Sequence, residues 1–364
     1  MDEGVVGRIE GYARSHLERE GIRHAAVAFG FPGDWHAFAV GEARIDERLP
    51  IASVAKSFTA LVVGACGVDL DDTVQRHLPI FPFADVTIRS VLAHRAGLVI
   101  GLDASPSPLG DVVMLRDTDR ATTGEFRRSN VGYAALGLVA ERVTGRTYDD
   151  LVQEHVLQPL GLYGSSAITT AADRPAWATR VSWVPTASAA GSALCPIGDL
   201  LTFAFAMPTL PEPHALGDDE EDGYPRVGLS GDCPGFGVHA YACRDTGAAF
   251  ACIYDDTGST WAIMQLALAT LRGDPTPDLY AWQGDPAPTG IRYGAHNPWC
   301  PWVSVDVENG TIWFPWGFEP LTPLGDGRYR VGDEDGPETL ELRDPLDGVA
   351  ITAVVSGATY HRMP

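Results

Sequence analysis

The chain has 364 residues, 45% of them hydrophobic, enough to fill the cores of one large domain and a small one. Its 26 Lys+Arg against 48 Asp+Glu give a net charge of −22, which repels nucleic acid and anionic membrane surfaces and excludes both as expected partners. No apolar run approaches the ~20 residues needed to cross a bilayer.

Residues 4 to 20 carry Val5, Val6, Ile9, Tyr12, Ala13 and Leu17 at helical spacing, so the chain opens on an amphipathic helix. Two short strands, His24 to Gly30 and Trp35 to Gly41, flank the turn Phe31-Pro32-Gly33-Asp34 and read as a hairpin. Val54 to Cys66 is apolar on nearly every side, as in a helix buried inside a domain. Leu70-Asp71-Asp72-Thr73-Val74 predicts a capped helix start, and Phe83 to Ile88 a short extended piece. Asn130 to Thr144 and Tyr148 to Leu157 have helical apolar faces. From Gly235 the texture turns to strands, Gly237 to Cys243 and Ala248 to Tyr254, before a helix over Trp261 to Leu271. This order predicts an α+β fold, an antiparallel sheet covered by the terminal helices with a helical subdomain inserted.

Gly284-Asp285-Pro286-Ala287-Pro288-Thr289-Gly290 reads as linker. Expected boundaries are therefore 1–275 for the main domain, 276–290 for the linker and 291–364 for a small β domain. Trp302 to Val307, Thr311 to Trp316, Thr339 to Arg343 and Val349 to Val355 predict its strands, with Trp299, Trp302, Trp313 and Trp316 expected in the core of a compact barrel in preference to lining a binding face. The acidic run Gly217 to Gly223 is expected to be a solvated loop and not a metal site. Six scattered cysteines form no C-x-x-C pair, and Met1 to Val6 lacks the basic and apolar regions of a secretory signal, so reduced thiols in a cytoplasmic protein are expected.

The basic residues comprise one lysine and 25 arginines. That lysine, Lys56, follows Ser53 by three positions in Ala52-Ser53-Val54-Ala55-Lys56-Ser57-Phe58-Thr59. Positions i and i+3 share a helix face, so hydroxyl and amine can meet. Guanidinium stays protonated, whereas a buried amine can lose its proton, and a chain that uses arginine elsewhere marks this position as needing a deprotonatable group. To act as a base near neutral pH its pKa must fall from ~10.4 to near 7, which apolar burial can supply. The competing reading is a serine helix cap followed by a lysine snorkelling outward.

Four blocks resemble the serine β-lactamase and penicillin-binding-protein superfamily, in its branch of class C β-lactamases, esterases and transacylases. Ala52 to Ala60 is similar to the family's nucleophile helix. Leu70 to Val74 through Val91-Leu92-Ala93-His94-Arg95-Ala96-Gly97-Leu98 resembles its "hLLtHtSGL" segment. Ser129 to Gly137 through Pro159-Leu160-Gly161-Leu162 is similar to the stretch after its Tyr-x-Asn motif. Gly228-Leu229-Ser230-Gly231-Asp232-Cys233-Pro234-Gly235-Phe236 resembles "GHTGGTPGF". The C-terminal β domain resembles a lipocalin-like appendage of some members. The resemblance implies the β-lactamase/transpeptidase-like fold and an acyl-enzyme on Ser53, with Lys56 as base, backbone N–H groups of Ser53 and Asp232 as oxyanion hole, and catalytic roles for Asn130, Ser230 and Gly231. It implies no cofactor or metal. A small-molecule acyl substrate, and an amine, alcohol or thiol acceptor, would be the partners.

Two family positions differ. Arg128 stands where the family has the tyrosine of Tyr-x-Asn, and Leu229 where it has Lys or His. Arginine cannot shuttle a proton. Arg128 would instead keep Lys56 neutral by repulsion, bind a substrate carboxylate or phosphate, or be a surface residue on a drifted loop. Three readings follow: a serine hydrolase or acyltransferase acting on an ester, thioester or amide; as a narrower version, a tailoring transacylase or cyclase of secondary metabolism; and, as the alternative, a degenerate binding or scaffold protein on the same fold.

Overall fold

The computed structural model describes residues 1–101, 108–121, 124–167, 188–210, 217–219, 226–233, 235–255, 258–277, 279, 287–295, 300–315 and 317–364. Helix α1 (Glu3–Arg19) starts on the side chain of Asp2, which accepts from the Gly4 N–H. The hairpin β1 (Ala25–Phe31) and β2 (Asp34–Val40) turns at Gly33, whose φ of +80° suits glycine. Strand β3 (Leu49–Pro50) leads through a 3-10 turn, Ala52–Val54, into α2 (Ala55–Ala65). Short helices α3 (Val74–His77) and α4 (Ile88–Leu92) are capped by Thr73 and Thr87, whose hydroxyls accept the N–H groups of Arg76 and Ser90. The expected extended piece before Ile88 is reduced to one Thr73–Thr87 bridge. There follow α5 (Pro108–Met114), α6 (Asn130–Thr144), α7 (Tyr148–Val152) and, after a π-helical turn over Gln153–Leu157, α8 (Gln158–Leu160).

Two further elements, α9 (Ser188–Gly191) and β4 (Leu194–Cys195), precede α10 (Ile197–Ala206). Strands β5 (Gly217–Asp219), β6 (Arg226–Cys233), β7 (Phe236–Cys243) and β8 (Ala249–Asp255) lead to α11 (Trp261–Arg272). Gly217 to Asp219 thus pair as an edge strand where a loop was expected, and the rest of the acidic run lies outside the described residues.

Compactness divides the chain into two units, Met1–Gly67 with Gly145–Gly284 and Val68–Thr144 with Asp285–Pro364. The expected boundaries near 275 and 290 cut differently, because they assign the segment 68–144 to the main domain. In the first unit an antiparallel six-stranded sheet runs β2-β1-β8-β7-β6-β5. One face carries Val27, Phe29, Tyr241, Phe250, Cys252 and Tyr254 into a core with Ile9, Ala13 and Leu17 of α1 and Ile263, Met264 and Ala267 of α11. The alternate positions on the central strands are small, Ala26, Ala28, Ala240, Ala242, Ala249 and Ala251, all buried. They let α10 and the Ala52–Val54 turn pack onto the strands.

In the second unit, the helical segment accompanies a closed barrel. It is built from β9 (Ile291–Gly294), β10 (Trp302–Asp306), β11 (Thr311–Phe314), β12 (Gly317–Gly325), β13 (Arg328–Val331), β14 (Thr339–Leu346), β15 (Val349–Val355) and β16 (Ala358–Arg362). Its core holds Tyr293, Val303, Val305, Ile312, Phe314, Leu340 and Tyr360, with Ile100 packed against it. Of the four tryptophans expected in this core, the two described ones, Trp302 and Trp313, stand outside that cluster. Trp313 alternates outward between Ile312 and Phe314 and packs on Phe318, Trp302 lies under the Arg292 guanidinium, and Trp299 and Trp316 lie outside the described residues. Among the described residues no helix is long and apolar enough to cross a membrane.

Candidate active site

Ser53 sits in the 3-10 turn at the entry to α2, with Lys56 one turn on. Lys56 Nζ lies 2.8 Å from Ser53 Oγ. The amine is buried, 1% exposed, whereas Ser53 is half-buried and reachable. The snorkelling reading is therefore excluded: this side chain is buried and its amine meets Ser53 Oγ and the Ala190 carbonyl. Ala52, the residue before the nucleophile, has φ +45°, a left-handed conformation that costs a non-glycine residue roughly 1–2 kcal/mol. That strain sits where the chain turns from β3 into the helix start and presents the hydroxyl.

A second contact fixes the amine. Lys56 Nζ donates to the Ala190 carbonyl in α9 at 2.7 Å. The next turn of α2 grips the same element, since the Thr59 hydroxyl donates to the Ala189 carbonyl at 2.5 Å and stands 2.6 Å from the Tyr148 hydroxyl. With its proton committed to Ala189, Thr59 accepts from Tyr148. Burial pushes the Tyr148 phenol well above the usual tyrosine range, so it stays a donor. Ser53, Lys56 and Thr59 thus form one i, i+3, i+6 stripe whose last two members anchor α9. In its neutral form Lys56 can keep an N–H on Ala190 and offer its lone pair to the Ser53 hydroxyl. Thr59 and Tyr148 were missed in the sequence because their partners are backbone carbonyls some 130 and hydroxyls 89 residues away.

Strand β6 supplies the opposite wall. A Cβ built on Gly231 would meet the Ser53 backbone nitrogen at 2.6 Å and Ala52 Cβ at 3.1 Å, so only glycine fits this approach. Ser230 behaves differently. Strand alternation turns it to the other face, where its Oγ stands 2.7 Å from His239 Nδ1 and 3.0 Å from the Tyr241 hydroxyl, beside Trp261 of α11. The structure therefore turns the side chain of Ser230 away from Ser53, although the next residue, Gly231, lies against the Ser53 backbone. Burial pushes the His239 imidazole down to about 4, which keeps it neutral. Leu229 is half-buried on the Gly231 side, and Asp232 is exposed.

The remaining candidates belong to the second unit. Arg128 is exposed and Asn130 half-buried. Ser129 caps α6: its hydroxyl donates to the Val99 carbonyl at 2.7 Å and accepts from the Gly132 N–H at 3.0 Å. Asn130, the first residue of α6, donates its N–H to the Ile100 carbonyl at 2.7 Å. His94, with φ +55°, receives the Ser129 N–H on Nδ1, and its ring lies tilted 4.8 Å from that of Tyr133.

Burial pushes the thiols of Cys195, Cys252 and Cys300 up to about 12, so these cysteines remain protonated packing groups. Among the described residues no group of three His, Cys, Asp or Glu could hold a metal ion.

The sequence profile described as Beta-lactamase matches residues 9–301. Penicillin-binding protein 4 of Amycolatopsis lactamdurans is 31% identical over 170 residues, covering 40% of this chain and 44% of that protein. The chain's match spans less than half the length of the curated relatives, 26%, 44% and 33% for three of them. The octameric penicillin-binding protein homologue from Pyrococcus abyssi superposes with a TM-score of 0.64 at 19% identity, covering 100% of both chains. The D-stereospecific amidohydrolase from Streptomyces sp. superposes with a TM-score of 0.60 at 22% identity, over 76% of this chain and 100% of that one. With the profile spanning most of its length, the chain belongs to the β-lactamase family, within the superfamily of serine β-lactamases and penicillin-binding proteins.

Proposed function

We propose that the protein is a serine hydrolase or acyltransferase that forms an acyl-enzyme on Ser53 from an ester, thioester or amide. The observation that carries this reading is the 2.8 Å approach of a buried lysine amine to a reachable serine hydroxyl at the start of a helix. Neutral Lys56 takes the Ser53 proton as Oγ bonds to the acyl carbon. The carbonyl π electrons move to oxygen, and the developing negative charge is met by backbone N–H groups of Ser53 and Asp232, at the tight crossing of the Ala52–Val54 turn and β6. The C–X bond then breaks, X leaves with the proton from Lys56, and an ester to Ser53 remains. Water yields the acid; an amine, alcohol or thiol yields the transferred acyl product. Either acceptor returns a proton to Ser53.

In this reading, as the motif resemblance implies, Asn130 is a hydrogen-bonding residue and Arg128 a cation for an anionic group of the substrate. Leu229 favours substrates lacking the carboxylate that a Lys or His at this position would hold. An amide substrate is in keeping with the solved structure named as a D-stereospecific amidohydrolase. Transfer to an amine acceptor, as in tailoring acylation or cyclisation of a secondary metabolite, is the narrower form of the proposal. Incubation with an activated ester such as p-nitrophenyl acetate, with and without an added amine, tests both. Turnover lost in Ser53→Ala supports the acyl-enzyme, and amide product in excess of acid supports transfer. Turnover retained in Ser53→Ala would contradict the proposal.

A further inference from the structure

The barrel's core is built of its own strands' side chains, with Ile100 from outside the barrel packed against it. Between β13 and β14 the chain passes through a tight turn closed by Gly336 N–H on the Asp333 carbonyl and arrives at Glu338. Glu338 is half-buried, and its Oε1 accepts the backbone N–H of Ile100 at 2.9 Å. Ile100 lies in a stretch with no regular backbone ladder, and such a stretch needs partners for its polar groups from elsewhere. Its own carbonyl accepts the N–H of Asn130 at 2.7 Å. One residue earlier, the Val99 carbonyl takes the Ser129 hydroxyl. Two hydrogen bonds in series therefore run from a barrel carboxylate to Asn130.

The surroundings reinforce the link. The Arg127 guanidinium lies 3.6 Å from Asp333 of the same turn. A Cβ added to Gly336 would fall 3.3 Å from Arg127 Nη1 and 3.5 Å from Glu338 Oε2, so this turn is pressed against both. Burial raises the Glu338 carboxyl and Glu319 adds to the rise, while the Ile100 N–H and Arg127 oppose it. A half-buried carboxylate held between these groups is a costly feature for an anchor that needed only packing.

We propose that Glu338 is a positioning residue: the C-terminal barrel serves the reaction by fixing Ile100, and through it Asn130, at the start of α6. This rests on the role given to Asn130 above. In Glu338→Ala the Ile100 N–H loses its acceptor and kcat for p-nitrophenyl acetate falls about tenfold, with KM within about twofold. Glu338→Gln keeps a carbonyl acceptor and stays within about twofold of the parent protein. Because Glu338 acts through Asn130, Glu338→Ala combined with Asn130→Ala is no slower than Asn130→Ala alone. Circular dichroism melting of each variant shows that the fold is kept. Parental kcat in Glu338→Ala, a loss in Glu338→Gln equal to that in Glu338→Ala, or additive losses in the double variant would each overturn the proposal. Full turnover in Asn130→Ala would overturn it too, by removing the residue acted upon, while loss of turnover in Ser53→Ala would still uphold the serine–lysine reading.

Discussion

Gly231 approaches Ser53 so closely that a methyl group on its Cα would stand 2.6 Å from the Ser53 backbone nitrogen. The contact is backbone to backbone, and no flexible side chain can yield. Gly231→Ala is therefore expected to displace the nucleophile by a few tenths of an ångström or more and to lower kcat about 100-fold, since small misplacements of reacting groups are amplified in rate. Steady-state kinetics on an activated ester, beside a melting curve close to the parent's, is the check.

Ala52 holds a left-handed φ of +45° immediately before Ser53. Glycine adopts this conformation without the Cβ clash but gains freedom in the unfolded chain, so the two effects partly offset. Ala52→Gly should leave stability within about 1 kcal/mol of the parent and lower kcat several-fold by loosening the turn that presents the hydroxyl. Denaturant titration and kcat on one preparation separate the two effects.

Thr59 ties α2 to the Ala189 carbonyl and the Tyr148 phenol, both buried. Thr59→Val preserves shape but strands an acceptor and a donor away from water. A loss of about 1–3 kcal/mol is expected in urea unfolding, with a further drop in kcat because the neighbouring Ala190 carbonyl orients Lys56. Tyr148→Phe removes only the donor and should cost less.

The buried His239 titrates at about 4 in the folded protein against an ordinary value of 6.5. Between these values the unfolded chain binds the additional proton, so stability falls as pH drops from about 6.5 to about 4 and the loss is complete below that. The change amounts to about 3 kcal/mol at 1.36 kcal/mol per pH unit. His239→Gln, which cannot titrate, should flatten this part of the stability curve measured by denaturant unfolding across pH.

Much of the site was legible because its chemistry is local. A serine and the lone lysine three residues apart declare a shared helix face, and Gly231 lies in a motif whose spacing survives. Other parts depend on distant pairing. Arg226–Cys233 contains Gly228, Ser230, Gly231 and Asp232, poor strand formers, and is a strand because β5 and β7 pair with it on both sides. Helix α10 was not anticipated: apolar residues surround most of Ile197–Ala206, leaving little periodic contrast to read. Its motif points to Ser230 as a catalytic side chain, whereas the alternation of β6 turns it toward His239. The grouping of residues 68–144 with the barrel depends on contacts such as Ile100 with Glu338 and Met114 with Gly357, which no local pattern announces.

The central claim is that Lys56 is the base for Ser53. Lys56→Arg keeps a long basic side chain at this position but supplies a group that stays protonated and cannot act as a base. Intact-mass measurement after exposure to a fluorophosphonate should show one adduct on the parent protein, mapped to Ser53, and none above background on Lys56→Arg with its fold retained. An adduct forming on Lys56→Arg at the parental rate would contradict the account.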